Sequence, residues 1–156
     1  IHMTKLDPIF TWDEEIGYAT CTLTDATTGK TYVGTAACHP DDSDMMSEKT
    51  GCELAYRRAR INALRGHRDE LKCELNALNK LYYNMKHSQR FNPKGYENIM
   101  LQRHIRMTEN DLATAKDIIA TELQNLYEII EEKEKFYTRI RLRRMAKAQQ
   151  SLFFES

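Results

Sequence analysis

Five arginines and one histidine are crowded into the stretch ELAYRRARINALRGHRDEL, residues 53–71. Arg57 and Arg68 fall on the same helical stripe as the apolar side chains of this stretch. A guanidinium group binds phosphate through paired hydrogen bonds, and it is costly in an apolar seam unless an anion lies nearby. The stretch therefore indicates one of two arrangements. One is an anion pocket at the open end of a helical hairpin, and the other is a structural cluster whose side chains reach solvent or pair with acidic residues.

A second group of chemically useful residues lies in RFNPKGYEN, residues 90–98. Within five positions it offers an aromatic ring, an amide and two cations: Arg90, Phe91, Asn92 and Lys94. Asn92 followed by Pro93 is typical of a helix start, where free backbone N–H groups attract anions. Stacking, base-edge hydrogen bonds and phosphate contacts together suit a nucleotide. The alternative is a capped turn whose aromatic residue closes a helical hairpin.

Residues 38–44, CHPDDSD, contain possible metal ligands, but their spacing fits neither a zinc site nor an EF-hand. Acids at this position are expected to complement the dipole of the helix that follows. The chain has no glycine-rich phosphate loop, no HExxH and no GxSxG motif. We therefore expect no metal, no cofactor and no enzymatic activity. A hydrolase that uses Cys38 and His39 is kept as an alternative.

The bulk composition is that of one folded domain. The chain has 156 residues, with 23 basic and 23 acidic side chains. It contains neither an apolar stretch long enough for a membrane helix nor a signal sequence, so we expect a cytoplasmic protein. Residues 1–46 hold two lysines against eight acids, whereas residues 48–88 hold nine lysines and arginines against five acids. This asymmetry favours either attraction between the two segments or binding of an anion by the basic helix.

The pattern of apolar and turn residues predicts an α+β fold. Alternating segments at 16–24 and 31–38, joined by DATTGK, predict an antiparallel β-hairpin, and residues 8–12 predict an edge strand. A helix should begin at Ser47 or Thr50, and a second helix at Asn92–Pro93. We therefore predict a single domain over 4–156. Its parts are a small sheet at 4–46 and two long antiparallel helices at 47–88 and 93–149.

Both helices carry mostly apolar residues at spacings of three and four, which is a heptad seam, and the spacing of four is repeated once, at Leu123 of the second helix. In the first helix the seam consists of Leu54, Ile61, Leu64, Leu71, Leu75, Leu78, Tyr82 and Met85. In the second it consists of Leu101, Ile105, Thr108, Leu112, Ala115, Ile119, Leu123, Leu126, Ile130, Lys133, Tyr137 and Ile140. The second helix is also apolar off this seam, and SLFFES at 151–156 adds a further apolar patch. One hairpin cannot bury all of this surface, so we expect a homo-oligomer, a dimer or a dimer-based hexamer.

The chain resembles the phage anti-Thoeris cyclic-nucleotide sponge proteins of the first type. The likeness is carried by VGTAACHPDD, by ELAYRRARINALR and by the region from Tyr82 to Asn92. It implies an N-terminal antiparallel sheet, two long helices and oligomers built from dimers. It also implies a pocket near the hairpin loop that uses an aromatic and an asparagine, matched here by Tyr82 or Phe91 and by Asn92. Arginines of the first helix would hold phosphates, with Arg57, Arg58 and Arg60 as the candidates.

The resemblance further implies a phage anti-defence protein that binds cyclic ADP-ribose isomers, and in some members cyclic di- or trinucleotides, without degrading them. We adopt this as the leading hypothesis. The alternative is a phage or prophage nucleic-acid-binding or scaffold coiled-coil protein. The basic segment RIRLRRMAK at 139–147 would serve that function, although zero net charge and acids along the second helix argue against nucleic acid as a partner.

Overall fold

A computed structural model describes residues 5–38 and 47–155 of the chain. Three strands, β1 (Leu6–Asp13), β2 (Tyr18–Asp25) and β3 (Thr31–Ala37), precede two helices, α1 (Glu48–Lys86) and α2 (Tyr96–Glu155). The strands form one antiparallel sheet in the order β1-β2-β3, with β2 in the centre. This is the predicted α+β fold, an N-terminal antiparallel sheet followed by two long helices.

Two short connections join the three strands, and each contains a glycine. Gly17 and Gly29 have positive φ angles of 61° and 74°, which residues with a Cβ rarely adopt. The carboxylate of Asp25 accepts hydrogen bonds from the backbone N–H groups of Thr27 and Thr28, and the Thr27 bond is the main reason that the pKa of Asp25 is lowered. The second strand starts at Tyr18 rather than at residue 16, because Gly17 belongs to the turn.

The N-terminal half of α1 packs directly on one face of the sheet. Small side chains dominate this contact: Ala19, Ala36, Ala55, Ala59 and Ala63 are each at most 1% exposed. At Gly34 the approach is closest, since a Cβ atom built there would lie 2.1 Å from the carbonyl oxygen of Ala55. Small residues on both elements therefore let the helix axis lie close to β3, where larger side chains would hold it away.

The ends of the helices follow from local hydrogen bonds. Ser47 is the N-cap of α1, and its hydroxyl accepts a hydrogen bond from the backbone N–H of Thr50, so the earlier of the two predicted starts is confirmed. The second helix begins at Tyr96, not at Asn92–Pro93 as predicted, and it runs to Glu155 instead of ending near residue 149. Asn92 forms a separate turn before the helix starts.

The two helices form an antiparallel hairpin. Three contacts define the register: Gln102 to Tyr82, His104 to Glu74, and Arg60 to Glu122. Every residue of the two predicted heptad seams is buried or half-buried, including Lys133. From this register, α2 passes the start of α1 at about residue 134 and extends roughly 30 Å further.

Apolar side chains remain exposed on the part of α2 beyond α1. Phe136, Leu142 and Met145 are each more than half exposed. Within residues 5–38 and 47–155, neither helix has an apolar stretch sufficient to cross a bilayer.

Candidate functional site

The loop between the two helices forms one side of a concave pocket of about 470 Å³. We call it the loop-end pocket. It is lined by the last turn of α1, by the connecting loop and by the first turn of α2: Met85, Ser88, Arg90, Phe91, Asn92, Gly95, Tyr96, Glu97 and Asn98. Arg90, Phe91 and Asn92, predicted from the sequence as binding residues, thus lie in one pocket.

Two hydrogen bonds accepted by Asn92 shape the loop. The Oδ1 atom of Asn92 accepts a hydrogen bond of 3.1 Å from the backbone N–H of Lys94, and its carbonyl oxygen accepts one of 2.9 Å from Gly95. These bonds make a tight turn of the Asn-Pro-Lys-Gly segment. The oxygen of the Asn92 amide is therefore engaged in the turn, and its NH₂ group is the part left to meet a ligand.

Arg90 is the cation of the pocket. Its side chain is exposed, and its guanidinium group makes no hydrogen bond or ion pair with any residue in the part of the chain that the structure describes. Beside it, the half-buried ring of Phe91 lines the same pocket. A guanidinium group without a protein partner can bind a phosphate, and an aromatic side chain in the same pocket can stack on a planar ring.

Asn98 lines the pocket and is one of the polar residues, with Ser88 and Glu97, that were not among the predicted site residues. It is only 4% exposed, and its Nδ2 atom donates a hydrogen bond of 2.9 Å to the carbonyl oxygen of Pro93. Its Oδ1 atom is buried and has no hydrogen-bond partner among the described residues. A buried acceptor without a partner costs about 1–3 kcal/mol. Because protein atoms cover this oxygen, it does not face the open space of the pocket.

The sequence does contain a signal for Asn98. It precedes Leu101 and Ile105 by three and seven positions, and so continues the heptad seam of α2 backward. A polar residue at a seam position is expected to be buried and to need hydrogen-bond partners. The predicted seam of α2 begins at Leu101 and therefore does not include Asn98.

Helix α2 adds a partial positive charge to the pocket. The pocket wall includes its first turn, from Tyr96 to Asn98, where backbone N–H groups lack partners within the helix. The carboxylate of Glu97 lies in the same wall and opposes this charge. The positive charge of Arg90 and the helix start, together with the negative charge of Glu97, favours a ligand with an anionic group near Arg90 and hydroxyl or amino donors near Glu97.

Arg57 and Arg60, by contrast, lie near the sheet, roughly 40 Å from the loop along α1. Each has an ion-pair contact of 3.5 Å, Arg57 with Glu53 and Arg60 with Glu122 of α2. The Nε atom of each arginine is buried and has no hydrogen bond within the described residues. Carboxylates of the same chain therefore satisfy only some of the hydrogen-bond donors of these two arginines.

Arg58 supports the sheet. Its Nη1 atom donates a hydrogen bond of 2.7 Å to the carbonyl oxygen of Thr35, and Asn62 donates one of 2.7 Å to Val33. Both acceptors belong to β3, an edge strand. Arg58, Asn62 and Arg65 also line a groove of about 370 Å³ between β3, α1 and α2, with an apolar floor that includes Leu126.

Tyr82 lies in the seam between the helices, outside the residues that line the loop-end pocket. Its hydroxyl accepts a hydrogen bond of 3.0 Å from Gln102. His39, Asp41, Asp42 and Asp44 of the possible metal or hydrolase site fall outside the described residues. Within the described ranges there is no group of three or more histidine, cysteine or acidic side chains that could hold a metal ion.

Comparison of the chain with protein-family models, with curated proteins and with solved structures found no match.

Proposed function

We propose that the protein binds a small nucleotide in the loop-end pocket and sequesters it without chemical change. The observation that carries this proposal is that Arg90, whose guanidinium group has no partner among the described residues, lines one pocket together with the half-buried Phe91 and with Asn92. A volume of about 470 Å³ falls within the usual range for small-molecule sites.

The composition of the pocket matches the parts of a nucleotide. Arg90 would bind a phosphate, and the first turn of α2 would add backbone N–H groups. Phe91 would stack on the base, which contributes about 1–3 kcal/mol in comparable sites. The described lining includes one carboxylate, Glu97, and neither histidine nor cysteine, a composition that favours binding over hydrolysis.

The resemblance of the sequence to anti-Thoeris sponges supplies the more specific part of the proposal. The ligand would be a cyclic nucleotide immune signal, in the first place a cyclic ADP-ribose isomer, and the protein would act as a phage anti-defence factor. A preformed pocket suits this role, because little binding energy is lost in ordering the loop.

The test is a thermal-shift screen with cyclic ADP-ribose isomers and cyclic di- and trinucleotides. Binding raises the melting temperature by an amount that grows with ligand concentration. The bound ligand is then released by denaturation and identified by chromatography. We expect stabilisation by at least one of these nucleotides and recovery of the ligand intact.

Two variants and a control assign the binding to this pocket. Arg90→Ala and Phe91→Ala should each weaken binding about tenfold or more, since each removes one of the proposed contacts. Arg106→Ala changes an exposed arginine of α2 outside the pocket and should bind as the wild type does. Absence of any shift would contradict the proposal, and recovery of an altered nucleotide would identify an enzyme instead.

A further inference from the structure

We propose that the outer edge of β1 binds an extended, positively charged segment of a partner protein, which adds a further strand to the sheet. We call this edge the open edge. It belongs to the sheet and not to the loop-end pocket, so the inference does not depend on the proposed function.

The hydrogen bonds of the sheet fix which backbone groups of β1 face outward. The N–H of Asp25 donates to the carbonyl oxygen of Lys30 at 2.8 Å, and the N–H of Cys38 donates to that of Gly17 at 3.1 Å. In an antiparallel ladder the direction alternates, so odd-numbered residues of β2 bond to β3 and even-numbered ones to β1. The outward backbone groups of β1 are therefore those of Leu6, Pro8, Phe10 and Trp12.

The two edges of the sheet differ in how their backbone groups are covered. On β3, side chains of α1 donate to two outward carbonyl oxygens. On β1, the outward groups of Phe10 and Trp12 have no hydrogen-bond partner within residues 5–38 and 47–155. Pro8 removes one donor from this edge, because proline has no N–H, and leaves the ladder to β2 complete. An uncovered edge of an eight-residue strand is a template for an added strand.

The side chains along the open edge suit a strand that is both apolar and basic. Ile9 is 62% and Phe10 45% exposed, and they lie on opposite faces of the sheet. The ring centroid of Phe10 is 6.4 Å from that of Tyr56, so an apolar side chain of an added strand would pack beside this pair. On the other face, Asp7 and Asp13 are exposed on either side of Ile9. Lysine or arginine side chains would pair with these carboxylates while their stems cover Ile9.

Charge favours a basic partner over a second copy of the chain. Residues 5–15 contain one lysine and four acids, which gives a net charge of 1 − 4 = −3. Two copies of β1 side by side would bring these like charges together, whereas a basic strand would bring opposite charges together. We therefore assign the open edge to an extended segment in which lysine or arginine alternates with apolar residues.

The probe is a capped peptide with the length of β1, eight residues, in which lysine and valine alternate. Its valines would lie beside Phe10, and its lysines beside Asp7 and Asp13. Trp12, the only tryptophan of the chain, lies in β1, so its fluorescence measures the affinity.

Two matched peptides serve as controls. One has glutamate in place of lysine, and the other carries N-methyl groups on its valines, which removes backbone donors and keeps the charge. We expect each change to weaken binding about tenfold or more. Absence of binding by the lysine–valine peptide, or equal affinity for its N-methylated form, would overturn the proposal.

Amide hydrogen exchange followed by NMR locates the peptide. In the protein alone, the N–H groups of Ile9 and Thr11 should exchange slowly because they bond to β2, and those of Phe10 and Trp12 should exchange faster. Bound lysine–valine peptide should slow exchange at Phe10 and Trp12 about tenfold or more. Protection of these two amides in the protein alone, rising with protein concentration, would place a second copy on the edge and overturn the proposal.

A pair of protein variants tests the role of charge. The double variant Asp7→Asn, Asp13→Asn keeps a side-chain oxygen at residue 13 for the backbone N–H of Glu15 and should weaken peptide binding about threefold or more. The double variant Asp111→Asn, Asp117→Asn removes two exposed carboxylates of α2 and should bind as the wild type does. Equal affinities of the two double variants would overturn the preference for a basic partner.

Discussion

At the scale of single residues, polar side chains of α1 and of the loop differ in whether the protein satisfies them. Arg58 and Asn62 donate to carbonyl oxygens of the edge strand β3. They cover backbone groups that would otherwise be open to pairing with another strand. Arg90 has no such partner among the described residues and lines the loop-end pocket. Arg58 and Asn62 therefore support the sheet, and Arg90 is the residue for which we propose ligand contact.

The first prediction separates these two roles. Arg58→Ala removes the hydrogen bond to the carbonyl oxygen of Thr35 and should lower the free energy of unfolding by about 1 kcal/mol. Nucleotide affinity at the loop-end pocket should not change. Urea denaturation measures the first effect and calorimetry the second. Arg65→Ala, a neighbouring exposed arginine without a hydrogen bond among the described residues, serves as the control and should be nearly neutral.

A loss of nucleotide binding in Arg58→Ala, with stability unchanged, would contradict this assignment. It would favour phosphate binding near the sheet by Arg57, Arg58 and Arg60, as the resemblance implies.

At the scale of elements, the heptad seams were predictable because local spacing alone fixes which face of a helix is apolar. The start of α2 was not predictable in the same way, because an Asn-Pro pair favours a turn and a helix start equally. The fit of Gly34 against Ala55 depends on two segments that are distant in the sequence. The unsatisfied oxygen of Asn98 likewise depends on the path of the loop. No local pattern contains this information.

The contact between β3 and α1 gives the second prediction. Gly34→Ala would place a Cβ atom 2.1 Å from the Ala55 carbonyl oxygen and 2.2 Å from the Ala59 nitrogen, both backbone atoms that cannot rotate away. The helix must move off the sheet, so we expect a loss of about 3 kcal/mol or more in the free energy of unfolding. Urea denaturation measures it.

The neighbouring change Thr35→Ala lies on the exposed face of the same strand and should cost less than about 1 kcal/mol. If the two variants were equally stable, the helix would not pack on β3 as closely as described.

The middle of the helical hairpin gives the third prediction. Burial lowers the pKa of His67, while the carboxylates of Glu70 and Asp111 act in the opposite direction. The unfolded chain binds a proton at this histidine near pH 6.5, whereas the folded chain does so only at a lower pH. The contribution of His67 to stability is therefore complete above about pH 6.5 and is lost as the pH falls from there to the folded pKa.

Urea denaturation between pH 5 and pH 8 measures this dependence. His67→Gln should reduce the decline in stability below about pH 6.5, and His87→Gln, an exposed change, should retain it. An unchanged decline in His67→Gln would show that other groups cause it.

At the scale of the whole molecule, α2 has about 60 residues and α1 has 39, so the hairpin covers only part of the longer helix. Beyond the end of α1, Phe136 is 51% and Leu142 is 59% exposed. Burial of such side chains contributes about 1.5–3 kcal/mol each. A second copy of the chain would supply the surface that this segment lacks within one protomer.

The fourth prediction is therefore self-association through the segment of α2 beyond residue 134. We expect the wild-type protein to sediment as a dimer or a larger oligomer at micromolar concentration. The double variant Phe136→Ser, Leu142→Ser should shift it toward the monomer while circular dichroism shows little loss of helix, because both positions face outward. The double variant Gln149→Ser, Gln150→Ser changes exposed polar residues of the same segment and should leave the oligomer intact. A wild-type protein that remains monomeric at every concentration would contradict the prediction, and nucleotide binding by that monomer would show that one chain forms the whole loop-end pocket.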